Sequence, residues 1–166
     1  MYSSLTGVIP YIAEISLMIH IGSGFIAIAL GLIVMRSRKH YGIHTKGGVL
    51  YHWLMFAVCL TAILLCVLAW PRIWWLLPVA IGSYALALLG YLSARARRQN
   101  WLPLHVSCQG GSFIALITAF LIVNWEFLTG EVGLYSIWAW IIPTIVGTPI
   151  IMWVQREIAL GRRPHR

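Results

Sequence analysis

Six histidines carry the most plausible chemistry in this sequence. It contains no HExxH helix, no phosphate-binding loop, no nucleophile elbow and no pair of carboxylates within an apolar run. Its acidic residues are Glu14, Glu126, Glu131 and Glu157, and all fall near the ends of apolar runs. Hydrolytic machinery of the usual kinds is therefore unsupported. A neutral imidazole can instead ligate a metal or a haem iron, or pass a proton. His44, His52 and His105, with His40 beside them, gather near one border of the apolar runs. Two imidazoles from different helices at one depth can hold a haem iron, and a third would allow zinc or copper. The spacing itself is not specific, since there is no CxxCH and no carboxylate close by. A wet interfacial cluster is the plainer reading. His20 lies eight residues into its run, roughly 12 Å deep at 1.5 Å per residue. An ionisable group at that depth faces a bundle interior and is a functional candidate by default. Its plainer reading is a neutral ring bonded to a carbonyl or Tyr on a neighbouring helix. It sits too far across to share an ion with the other histidines. His165, in the tail, means little.

The elements that position these residues are apolar. The chain has 166 residues, 60% hydrophobic and 10% charged, with no Asp. A soluble domain carries roughly a quarter of its residues as charges. The apolar residues fall in runs of about 20, enough to cross a hydrocarbon layer about 30 Å thick. In lipid such runs must be helices, because every backbone N–H and C=O has to be bonded within the segment. The runs predict one all-α domain over 1–166, a bundle of five transmembrane helices at 12–35, 49–70, 73–93, 103–124 and 136–155. A loop covers 36–48, Pro71-Arg72 breaks the chain between the second and third runs, and Pro103 suits the first turn of the fourth. The first run carries Glu14 and lacks a basic leader or cleavage site, so it reads as a retained helix. Cys59, Cys66 and Cys108 lie in or at apolar runs and read as small buried side chains, not a disulfide framework.

A net charge of +8 could suggest nucleic acid, but its distribution argues for lipid. The cations sit in short clusters beside the apolar runs. Arg36, Arg38, Lys39 and Lys46 fall on one side with Arg95, Arg97, Arg98, Arg156, Arg162, Arg163 and Arg166. Only Arg72 lies opposite, with Glu126 and Glu131. The positive-inside rule places the larger set in the cytoplasm, and five spans then leave the N-terminus outside. The nine Trp residues fall at the predicted borders, where amphipathic rings anchor at headgroup level.

Contacts between helices in lipid favour small and hydrogen-bonding residues. The first run shows such a face with Ala13, Ser16, His20, Ser23, Gly24, Ala27 and Gly31, opposite Ile15, Ile19, Ile26 and Ile33. The fourth repeats the design with His105, Cys108, Gln109, Ser112, Ala115 and Ala119. The third offers Ser83, Ala87 and Gly90, with Tyr84 and Tyr91 beside them. In the fifth, Pro143 and Pro149 predict a kinked or locally unwound helix, whose freed carbonyls could line a polar cavity.

Together these residues resemble a family of small bacterial multi-pass membrane proteins known only as a domain of unknown function. The resemblance rests on His20 with its small-residue helix, then His44, Gly48, Tyr51, Trp53 and Met55. It continues through Ser83-Tyr84, Gly90-Tyr91, His105, Gly111-Ser112-Phe113, Thr118-Ala119-Phe120 and Asn124, and ends at Trp140, Pro143 and Gly147. The pattern departs at Val49, where Arg often stands, and at His52, where an aromatic is usual. The resemblance implies the bundle, a bacterial inner membrane, and His20, His44 and His105 as the shared site residues; it implies no reaction. Three readings follow from the residues. One is a haem-binding or quinone-linked redox bundle with haem b the leading cofactor, built on His44 and His105. The second is a small proton-coupled transporter using His20, Tyr84 and the proline helix. The third is a scaffold whose interior polar residues, Ser23, Gln109 and Ser112 among them, only hold the bundle together. Beyond the lipid bilayer, the sequence leaves open a homo-oligomer or another membrane partner.

Overall fold

A computed structural model of the chain describes residues 2–37 and 42–161, and the side chains of all these except 2–8, 71 and 72. His40, Arg38, Lys39 and the tail residues Arg162, Arg163, His165 and Arg166 lie outside that description. The helices are α1 (Tyr2–Arg36), α2 (Ile43–Leu68), the single turn α3 (Trp70–Ile73), α4 (Leu76–Ala96), α5 (Trp101–Thr129) and α6 (Ile137–Ala159). Five of them are long and apolar enough to cross a membrane, and no strand occurs among the described residues.

The helices outrun their apolar cores. The loop expected over 36–48 gives way to a helix that starts at Ile43, so His44, Lys46, Gly47 and Gly48 belong to α2. The physical reason is that hydropathy marks where the hydrocarbon ends, whereas a helix can continue into the headgroup layer with its Lys side chains snorkelling to water. The turn into α2 is made by Gly42, whose φ of 146° favours glycine. At its far end α5 closes on Gly130 in the left-handed conformation, whose N–H reaches the Glu126 carbonyl at 2.8 Å.

Four helices form a ring in which α1 packs on α2, α2 on α4, α4 on α5, and α5 more lightly back on α1. Thus α1 and α4 are diagonal, as are α2 and α5. The sixth helix packs along α5, outside the ring. It stays helical through Pro143 and Pro149, so the local unwinding expected there does not occur. Nor does α6 line the ring's interior as a cavity-forming broken helix would.

The interior inverts the soluble pattern. Fully enclosed positions include Ala27, Ala87, Met55 and Ser112, while Met18, Phe25 and Phe127 face outward. Lipid tails are as apolar as Leu, so hiding large side chains gains little and close packing decides the contacts. The expected faces hold. Ser16, Ser23, Ala27 and Gly31 are buried, and Ile15, Ile19, Ile26 and Ile33 are outward. Four buried hydroxyls bond back to their own helix, Ser23 to Ile19, Thr61 to Ala57, Ser83 to Val79 and Thr118 to Ile114, so these four need no water. The buried Ser136 Oγ, by contrast, has no partner among the described residues.

One member of the small face needs correction. Gly24 has open space where a side chain would grow, whereas a Cβ on Gly31 would meet the Phe113 ring at 2.6 Å. The close approach that requires glycine is one heptad nearer the basic end.

Candidate functional site

The basic end of the ring holds His44 and His105. His44 stands in the first turn of α2, and its Nδ1 lies 3.1 Å from the Val34 carbonyl on α1. His105 stands in the second turn of α5, with Nδ1 2.8 Å from the Gly90 carbonyl on α4. A carbonyl can only accept, so each Nδ1 carries a proton, and in the neutral form of either ring Nε2 would be the ligating nitrogen. This is how metal-ligating histidines are commonly oriented, by a second-layer acceptor on the other ring nitrogen. The two rings meet edge to face with centroids 6.3 Å apart. All four helices of the ring therefore contribute, two with imidazoles and two with carbonyls.

The α5 face continues inward as expected. Gln109 donates Nε2–H to the Ala87 carbonyl at 3.0 Å, one turn beyond the His105–Gly90 bond. This second rung depends on Gly90, because a Cβ there would sit 2.8 Å from Gln109 Nε2. Deeper still, the Tyr51 hydroxyl and Ser112 Oγ lie 3.2 Å apart in a buried bond from α2 to α5, and Ser112 donates to the Gln109 carbonyl. Beneath them the core is apolar: Met55, Val58, Cys59, Ala80 and Leu116 pack together.

The other sequence candidates separate from this pair. His20 shares its Nδ1–H between the Val58 carbonyl at 3.0 Å and Thr61 Oγ1 at 3.2 Å, both on α2. Counted along α1, it lies about 21 Å from Val34, the anchor of His44. Ser23 bonds only within α1, to the carbonyls of Ile19 and His20. Tyr84, suggested as a route to His20, lies on the diagonal helix and packs against His52 and Phe56 instead. His52 is not part of one inner histidine cluster. It is buried between α2 and α4, stacked on Tyr91 at 4.2 Å with the rings 6° from parallel, and its Nδ1 has no hydrogen-bond partner. Among the described residues no three His, Cys, Asp or Glu side chains converge, so the set of three ligands considered for zinc or copper is not assembled.

Sequence reasoning missed Thr61 and the carbonyls of Val34, Gly90 and Ala87. Backbone acceptors leave no mark in side-chain identity. Finding Thr61 required the α1–α2 register, which a helix start misplaced from 43 to 49 conceals.

The fold and these buried polar contacts define a class: a multi-pass, all-α membrane protein with a polar, histidine-bearing end to its four-helix ring. No family model, no curated protein and no solved structure matches the chain.

Proposed function

We propose that this is a bacterial inner-membrane protein, N-terminus outside and C-terminus cytoplasmic, whose His44–His105 pair binds a metal-containing redox cofactor, with haem b the leading candidate. The observation that carries the reading is the meeting of these two rings across the bundle, each oriented by a carbonyl from a third and fourth helix. With each Nδ1 beside a backbone carbonyl, His44 and His105 would offer Nε2 as the ligand atom for a haem iron or another metal. Helix bundles commonly build cofactor sites from facing side chains in this way. When bound, the metal would supply one-electron chemistry. The chain's own part is to hold both imidazoles in one tautomer and to close the inner side with the Tyr51–Ser112 bond. The eleven-to-one division of cations supports the cytoplasmic placement of the pair. The family pattern named above is consistent with His44 and His105 as its site, and His20 belongs to the outer half as a separate element.

The test is an absorption spectrum with metal analysis on detergent-purified protein. A Soret band lost in both His44→Ala and His105→Ala is the expected result. A colourless, metal-free protein, unchanged by either substitution and by haem addition, would leave the scaffold reading in its place.

A further inference from the structure

The α4–α5 connection at the basic end is unusual in its backbone. Arg97 and Asn100 both take left-handed conformations, with φ of 45° and 60°, although neither is glycine. Such positions are uncommon outside glycine, and they persist where the surroundings hold them. Here the turn places the Arg97 guanidinium 5.7 Å over the Trp101 ring. Beside this stacked pair a cleft of about 210 Å³ opens between α4 and α5. Its upper part is lined by Ser93, Arg98 and Gln99, and its wall by Leu89, Leu92 and Leu104. The three leucines are 51%, 49% and 49% exposed, so the wall faces the lipid tails and not the bundle.

The cleft therefore has two chemistries stacked along the membrane normal: guanidinium and amide donors at headgroup level, and branched apolar side chains below. A free anion would use only the first, and an apolar ligand only the second. A phospholipid uses both. Charge selects among phospholipids. The described cations at this end include Arg36, Lys46, Arg95, Arg97, Arg98 and Arg156, against a single carboxylate, Glu157, on the outlying α6. A zwitterionic headgroup would bring its own ammonium into that excess of cations. An anionic one would not.

We propose that the α4–α5 cleft binds one anionic phospholipid, its phosphate at Arg98 and Gln99 and an acyl chain along Leu92 and Leu104. The stacked Arg97–Trp101 pair forms the fixed lip of the site. The proposal is independent of any cofactor at the histidines.

Native mass spectrometry of the full chain, released from detergent with phosphatidylglycerol or phosphatidylcholine, tests it. Wild type should retain phosphatidylglycerol in preference to phosphatidylcholine. Arg98→Gln should reduce that retention about five-fold, the change that one basic residue makes at an anionic headgroup. Leu92→Trp, which fills the wall without changing charge, should reduce it too. Arg36→Gln, at the end of a helix diagonal to α4, should leave it unchanged. The proposal is overturned if Arg36→Gln lowers retention as much as Arg98→Gln, which would indicate diffuse surface charge. It is also overturned if inorganic phosphate at matched concentration displaces the lipid, which would indicate a free-anion site. Retention unaffected by Leu92→Trp would remove the acyl wall and the proposal with it.

Discussion

His44 and His105 face each other with ring centroids 6.3 Å apart, and they share a sequence offset of 61 with Tyr51 and Ser112, the hydrogen-bonded pair beneath them. Both pairs join α2 to α5, the diagonal of the ring. The two helices run in the same direction, so a constant offset means a constant depth. Seven residues separate the layers on each helix, about 10.5 Å at 1.5 Å per residue. The bundle therefore presents two polar layers, one at the basic border and one two turns inside it.

Removing either imidazole should abolish cofactor binding without unfolding the protein. His44→Ala and His105→Ala each lose one side chain–carbonyl bond, worth about 1 kcal/mol. Their melting temperatures in detergent should stay near wild type while the Soret or metal signal falls at least about ten-fold, the equivalent of 1.4 kcal/mol. His165→Ala, in the tail beyond the described residues, should change neither. If all three variants keep the signal, the inner pair is not the site.

His20 should behave in the opposite way. Its Nδ1–H serves two acceptors on α2 and ties α1 to its hairpin partner. His20→Ala should lower stability by about 1–2 kcal/mol and leave the cofactor spectrum intact. Loss of the spectrum at unchanged melting temperature would show that the outer half takes part in the site.

The two helix-one glycines should separate clearly. Gly31→Leu drives a side chain into Phe113 and Tyr51 and should cost about 1–3 kcal/mol or more. Gly24→Leu enters open space and should shift stability by less than about 0.5 kcal/mol. Thermal melts of the two variants in one detergent decide the matter, and equal destabilisation would contradict the packing described.

The Tyr51–Ser112 bond should be measurable but small. Tyr51→Phe leaves Ser112 still bonded to the Gln109 carbonyl, so no buried donor is stranded. A double-mutant cycle with Ser112→Ala should give a coupling of about 0.6 kcal/mol, the usual value inside membrane bundles. A coupling indistinguishable from zero would mean that the two hydroxyls do not bond in the folded protein.

Orientation is tested with reporters. A C-terminal alkaline phosphatase fusion should be inactive and a C-terminal fluorescent protein bright, because the basic clusters stay in the cytoplasm. An active phosphatase would reverse the assignment and place the histidine pair on the outer face.

The five spans were legible in the sequence because they depend on local physics. Hydropathy over 20 residues and the need to satisfy every backbone group in lipid require nothing from the rest of the chain. The buried faces were legible for the same reason: Ser16, Ser23 and Ala27 on α1, and Cys108 and Ser112 on α5, recur at helical spacing. That His44 and His105 share a border also followed, since one fell in the loop before the second run and the other at the start of the fourth; that His44 stands within α2 did not. Tertiary structure alone decided which of these residues meet. Only the ring order put α2 and α5 on a diagonal, brought His44 to His105, and left His52 stacked on Tyr91. Only the packing of α1 against α5 and α2 made Gly31 the tight contact in place of Gly24, and only the α1–α2 register gave His20 its Thr61 partner. The prolines of α6 had suggested a cavity, and the packing of that helix outside the ring removed it. Periodicity tells which side of a helix is buried, but register and neighbour come from contacts between segments distant in the chain, and no single segment encodes them.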